Sequence, residues 1–242
     1  MGLEFLPYAI EMLNIHDKSK AAVHKYKNNI EGVLELCAST IPEQYLLPHI
    51  IKAFKEIYPK VLFFIYHKDS KKVAEDILSG ITNFGLIGAK YSYEGIDYID
   101  FYADKLVLIT CPEKNFDNTS LTSKDLIGED IVLMEEGSGT RLLIENALKE
   151  QNLDLNIFQS QTISYSLEAI KKMVSLDIGL SFSSEISVKN EVNSGHLNQY
   201  EVKDLDLNRD FSLAYCNNRY LSPLEKEFKE FVSAWKWDKI NL

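Results

Sequence analysis

The spacing of apolar runs in this 242-residue sequence predicts an α/β protein of two doubly wound units joined by two crossover strands, with a separate helix at the N-terminus. Three observations carry that prediction. A β-α-β-α-β series occupies residues 33–88, and a second such series occupies residues 131–182. Two hydroxyl-rich turns, Cys37-Ala-Ser-Thr-Ile-Pro-Glu-Gln44 and Glu135-Glu-Gly-Ser-Gly-Thr-Arg141, stand at equivalent places in the two series. Each follows an apolar run and precedes a helix-period segment. The first amides of a helix have no intrahelical partner and carry partial positive charge, so such a turn can hold an anion or a polar ligand. Ser and Thr are also ordinary N-caps, so one turn alone says little. Two, one in each series, point to half-sites facing one cleft.

In chain order, residues 3–28 read as a helix whose Leu3, Leu6, Ile10 and Leu13 form a narrow seam suited to pairing with another helix. Asn28, Asn29 and Gly32 then punctuate the chain. Residues 33–37 read as a strand and residues 42–58 as a helix, with Pro42 near its start and Tyr58-Pro59 at its end. Residues 61–66 are a continuous apolar run of β-formers, as in a strand covered on both faces. A helix over 70–79 ends at Gly80, and a short strand over 84–88 follows. Residues 106–110 read as the first crossing strand. The second series runs strand 131–134, helix 139–151, strand 155–159, helix 166–175 and strand 179–182. Beyond the acidic turn 203–210, a strand over 211–215 and a helix over 223–235 return to the first unit. The predicted division is therefore 1–30 as a dimerisation or linker helix, 31–110 with 206–242 as one unit, and 111–205 as the other. Two crossings create a hinged cleft that closes on its ligand.

Composition narrows the function. With 26 Lys+Arg against 36 Asp+Glu, the net charge of −10 opposes binding to a phosphate backbone. Cys37, Cys111 and Cys216 lie at or beside apolar runs without metal or disulfide spacing, and read as small core residues. Met1-Gly2-Leu3-Glu4-Phe5 has an acid where a signal peptide needs positive charge, so the expected location is cytoplasmic. No GxSxG, HExxH, Walker A or GxGxxG motif is present, and the five histidines show no metal spacing. The sequence thus predicts no catalytic residue, no metal and no cofactor.

The order of motifs resembles the effector-binding domain of the LysR-type transcriptional regulators. The resemblance rests on Ala38-Ser-Thr-Ile-Pro42 with Tyr45-Leu-Leu-Pro48 and Phe54, Tyr58-Pro59-Lys-Val61, Phe84-Gly-Leu-Ile-Gly88 and Leu106-Val-Leu-Ile109. It continues in Glu136-Gly-Ser-Gly-Thr-Arg141, Glu168-Ala-Ile-Lys171, Ile178-Gly-Leu-Ser-Phe182 and Leu221-Ser-Pro223 with Phe228. Together these cover residues 31–236. The resemblance implies a periplasmic-binding-protein-like (type II) fold of two Rossmann-like subdomains joined by two crossover strands. It implies a small effector, anionic or amino-acid-like, held by Ser39, Thr40, Gly88, Ser138, Gly139, Thr140, Ser164 and Ser166. It also implies a homodimer, or a tetramer in the full-length regulator, in which the helix around Tyr45–Phe54 packs on the second subdomain of the mate. DNA would be reached only through a helix-turn-helix domain that this sequence lacks. Two departures stand out: Asn83 replaces a common Asp, and Tyr165 and Leu167 make an unusually bulky helix entry. Residues 38–48 are most similar to members tied to sulfur or selenium metabolism. A solute receptor of a transport system shares the cleft logic, but would carry an export signal or a lipid-anchoring Cys.

Overall fold

The computed structural model describes residues 5–6, 8–16, 30–116 and 121–237. Strand β1 (Gly32–Ala38) leads through a π-helical turn, Pro42–Leu46, into helix α1 (Leu47–Ile57). Strand β2 (Val61–His67), helix α2 (Ser70–Ser79) and strand β3 (Phe84–Ile87) complete the first series. Asp69 starts α2 by accepting from the Lys72 amide at 2.8 Å, and Gly80 stops it in the left-handed region at φ 81°.

Strand β4 runs from Ile96 to Thr110, much longer than the predicted 106–110. The acids Asp97, Asp100 and Asp104 conceal its start: the first two are exposed, and Asp104 is buried against Arg209. The second series comprises β5 (Asp130–Met134), α3 (Gly139–Glu150), β6 (Ser160–Ser164), α4 (Leu167–Ser175) and β7 (Ser181–Ser184). Helix α5 (Glu185–Asn193) and strand β8 (Asn198–Tyr200) follow, neither of them among the predicted elements. Strand β9 (Asn208–Cys216) and helix α6 (Pro223–Ser233) close the described chain.

Three predicted strands are corrected. Residues 61–66, expected to be covered on both faces, form the edge strand β2, whose Leu62, Phe64, Ile65 and Tyr66 are exposed. Residues 155–159 do not pair: Leu155–Ile157 is a 3-10 turn started by Asp154, which accepts from the Asn156 amide at 2.8 Å. The strand lies at Ser160–Ser164, in parallel register with β5 from Asp130 opposite Ser160 to Met134 opposite Ser164. Its polar composition hid it, since it is an edge strand with little burial. The strand predicted at 179–182 is shifted to Ser181–Ser184, while Leu180 bridges to Ile131.

The main sheet runs β2-β1-β3-β9-β4-β7, with β8 also on β4. Strands β1, β2 and β3 are parallel, whereas β9 is antiparallel to both β3 and β4. Residues 96–105 of β4 pair with β9, and residues 106–110 pair with β7 and β8. One strand thus feeds two sheet segments, and β5 joins the second through Leu180.

The core divides accordingly. Leu34, Leu36, Leu46, Ile50, Phe54, Phe84, Phe211 and Phe228 pack on one side of the first segment, with Val73, Ile77 and Ile87 on the other. Leu108, Leu126, Leu133, Ile144, Leu148 and Phe182 pack on one side of the second, with Ile109, Val132, Ile170 and Val174 on the other. All three cysteines are buried free thiols. Leu167 and Ile186 cross over to the first core.

Residues 5–6 and 8–16 are helical. Of the predicted seam, Leu6 and Leu13 are exposed and Ile10 is half-buried, while Leu3 and residues 17–29 lie outside the described residues.

Candidate functional site

Both hydroxyl-rich turns open toward one cavity. Its lining takes Ser39, Thr40 and Gly88 from the first unit, and Ser138, Gly139 and Thr140 from the second. In each case a strand ends in the sheet and the chain turns into a helix, which aims the turn's amides and hydroxyls beyond the strand's carboxyl end. The Ser39 amide still reaches Leu86 of β3, at 2.9 Å, and its carbonyl accepts from Glu43, so the turn is tied to both strand and helix. Ser138 sits at the N-cap of α3 without capping it, which leaves its buried hydroxyl available.

The two walls touch. A Cβ on Gly139 would lie 2.8 Å from the Gly88 carbonyl carbon, and one on Gly137 would lie 2.7 Å from Asp69 Oδ1. Gly137 also has φ 92°, a region that L side chains avoid. Across the seam the Lys71 amide and the Tyr91 hydroxyl donate to the Gly137 carbonyl at 3.3 and 3.2 Å. On the opposite flank the Tyr45 hydroxyl donates to the Ser187 carbonyl at 3.2 Å, and Lys171 donates to Tyr45 at 3.4 Å. Burial works against the charge of Lys171, but hydrogen bonds to Glu168 and Glu191 hold its ammonium above the ordinary range. The cavity between the walls measures about 20 Å³, room for roughly one water. The two walls therefore leave a narrow cleft.

Arg209 forms the floor. It lies directly opposite Asp104 on the paired strands β9 and β4. Its Nε donates to Asp104 Oδ2 at 2.8 Å, its Nη1 donates to Thr140 Oγ1 at 3.1 Å, and its guanidinium stacks 4.5 Å above the Phe211 ring. Ser184 donates to the other Asp104 oxygen at 2.5 Å. Burial pulls the guanidinium below its ordinary value, and Asp104 opposes that pull. Arg209 Nη2 is buried without a partner among the described residues.

With this geometry in place, similarity to known proteins decides the family. The sequence matches the LysR substrate binding domain over residues 27–236. It belongs to that family. The Uncharacterized HTH-type transcriptional regulator MJ0300 of Methanocaldococcus jannaschii is 30% identical over 236 residues, spanning 96% of this chain and 78% of that one. Among solved structures, the Synechocystis CcmR regulatory domain in complex with 2-PG matches with a TM-score of 0.76 at 20% identity, over 84% of this chain and 97% of that one. The effector binding domain of QuiR in complex with shikimate matches with a TM-score of 0.75 at 18% identity, over 84% and 95%. The type II periplasmic-binding-protein-like architecture is shared with these domains.

In this LysR domain the site differs from the sequence expectation in two respects. Ser164 and Ser166 do not line the cavity. The Ser166 hydroxyl caps α4 by accepting from the Ala169 amide at 3.3 Å, and Ser164 Oγ accepts from the Ser166 amide at 3.2 Å. The third wall is apolar instead, built from Leu167 and Ile170. Conversely, Arg209, Glu135 and Asp69 line the cavity and were not singled out from sequence. Arg209 sits in a run of acids that spells a loop, and only the β9 alternation with Phe211 and Leu213 would have put it on an inward face.

Glu135 is buried and its Oε2 has no partner among the described residues. Burial raises its pKa and the Asp69 carboxylate adds to the shift, while a backbone hydrogen bond, His67 and Arg141 oppose it. The fold therefore penalises the charged form. The group's contribution to stability is fully present below the ordinary carboxylate range and is lost as pH rises through the raised value. Glu135→Gln is expected to raise stability by on the order of 1 kcal/mol at about pH 7–8 and to have no such effect below about pH 4. Melting curves across that range test this; an equal gain at both ends contradicts it.

Proposed function

We propose that this LysR effector-binding domain senses a small anionic or amino-acid-like metabolite in the cleft between residues 31–110 with 206–242 and residues 111–205. The observation that carries the reading is the meeting of both hydroxyl turns with a buried, partly unpaired arginine at one cavity. An anion there would be neutralised by Arg209 and take hydrogen bonds from the turn amides and from Ser39, Thr40 and Ser138. Closure over the ligand would be relayed through the crossover strands, where Asp104 and Arg209 lie. The neighbours named for 2-PG and shikimate complexes support a small organic acid as effector. A link to sulfur or selenium rests on residues 38–48 alone. The domain acts as a ligand sensor in the cytoplasm and not as an enzyme; no helix among the described residues is long and apolar enough to cross a membrane.

A thermal-shift screen of organic acids identifies a ligand, because binding to the folded state alone raises the melting temperature. Thr40→Val and Thr140→Val should then each weaken binding about tenfold or more by calorimetry, as the loss of a hydrogen bond to a charged partner costs ~1.5–3 kcal/mol. Unchanged affinity in both moves the site elsewhere.

The domain also forms a homodimer in this reading. Phe5, Leu6, Tyr8, Met12, Leu13 and Ile15 of the N-terminal helix are all more than half exposed. Edge strand β2 adds Leu62, Phe64 and Tyr66, and an apolar open edge invites pairing. Phe54 is consumed in its own core, so α1 would contribute its outer face, which includes Lys52, Lys55 and Glu56. Light scattering should give about twice the 27.7 kDa chain mass. A monomer at high micromolar concentration contradicts it.

A further inference from the structure

Two residues that line the same cavity each bury a polar atom without a partner among the described residues, and the two are opposite in chemistry. Arg209 Nη2 is a cationic donor on the floor, beside Thr140 and against Gly88, whose Cβ would stand 3.3 Å from Arg209 Nη1. Glu135 Oε2 is a carboxylate oxygen on the second unit's turn. The Glu135 end is also where the first unit brings Asp69, whose carboxylate occupies the space a side chain at position 137 would need. Arg209 and Glu135 are each more than nine-tenths buried. A simple anion would satisfy the first pole and worsen the second, because a further negative charge would meet Glu135 and Asp69 from both walls. A ligand with an ammonium group would do the reverse at that end, bridging carboxylates that belong to opposite units and so favouring closure.

We infer that the effector is a small zwitterion, its carboxylate held by Arg209 and the hydroxyl turns and its ammonium held by Glu135 and Asp69. The inference rests on the cleft being the effector site, and it narrows the proposed anion to the amino-acid class. It makes Glu135 a specificity-determining residue, one that selects among acids by what stands at their far end.

Two series of probes separate these claims. Acetate, glycolate, glycine and oxalate share one carboxylate on a short frame; butyrate, 4-hydroxybutyrate, 4-aminobutyrate and succinate do so on a longer one. Calorimetry on the whole chain should rank the ammonium-bearing acid at least tenfold above the diacid on the frame that fits. The hydroxy acid should fall between them. Glu135→Gln, which keeps the shape, should erase that gap by weakening the ammonium acid, and Thr140→Val should weaken every member that binds. A diacid that binds as tightly as the amino acid, or a preference that survives in Glu135→Gln, overturns the zwitterion inference while leaving the cleft as the effector site. Failure of every probe to bind, or binding that Thr140→Val does not touch, overturns the cleft reading and the inference with it.

Discussion

Replacing Arg209 by methionine is expected to destabilise the folded chain by about 3–5 kcal/mol, because it strands a buried carboxylate. The Asp104 side chain is 1% exposed, and without Arg209 its remaining support is the Ser184 hydroxyl. The cost arises from the charge left behind more than from the lost attraction. Removing both charges, as in Asp104→Leu with Arg209→Met, should therefore recover most of the loss. Urea unfolding of the two single variants and the double variant measures the coupling. Additive losses would mean that the two groups do not act as a pair. If the double variant is as stable as the parent yet no longer binds ligand, the pair is kept for effector recognition.

Phe54→Ala should be comparably severe, at about 3–5 kcal/mol for a buried phenylalanine. Phe54 is fully buried at the centre of an aromatic cluster, with ring centroids of Tyr58, Phe231, Phe228 and Phe63 at 4.8, 5.2, 5.3 and 6.0 Å. The cluster joins α1, β2 and α6, which are distant in sequence, so its loss loosens the first unit as a whole. At roughly 2–4 °C per kcal/mol, the melting temperature should fall by about 6–20 °C. Tyr165→Ala provides the contrast. Tyr165 is 78% exposed, and its removal should stay within about 0.5 kcal/mol. Similar effects from both would remove the aromatic cluster as the explanation.

Legibility in sequence followed burial. The helices predicted over 70–79 and 223–235, observed at Ser70–Ser79 and Pro223–Ser233, are readable because Asp69 and Ser222 cap their starts and apolar residues recur on one face. Strand β6 was not, since Ser160, Gln161 and Thr162 carry no apolar alternation and the strand is held by its ladder with β5. The first half of β4 failed for a related reason: its acids face outward or pair with partners on other elements, as Asp100 does with Lys90 and Ser212, and Asp104 with Arg209. A local pattern does not report partners that arrive from far along the chain.

The same division applies to the site. Sequence alone pointed to the family, the α/β class and six residues that line one cavity, Ser39, Thr40, Gly88, Ser138, Gly139 and Thr140, because turn chemistry and strand-to-helix transitions are local properties. Tertiary structure alone decided what stands opposite them. It set Arg209 beneath Thr140 through strand pairing, brought Asp69 and Glu135 to one cavity, and gave the Ser166 hydroxyl to the cap of α4 and the Ser164 hydroxyl to the Ser166 amide. The physical reason is that an amide or hydroxyl is aimed by its own turn, whereas the charge that a ligand meets in a closed cleft is the sum of groups gathered from both units.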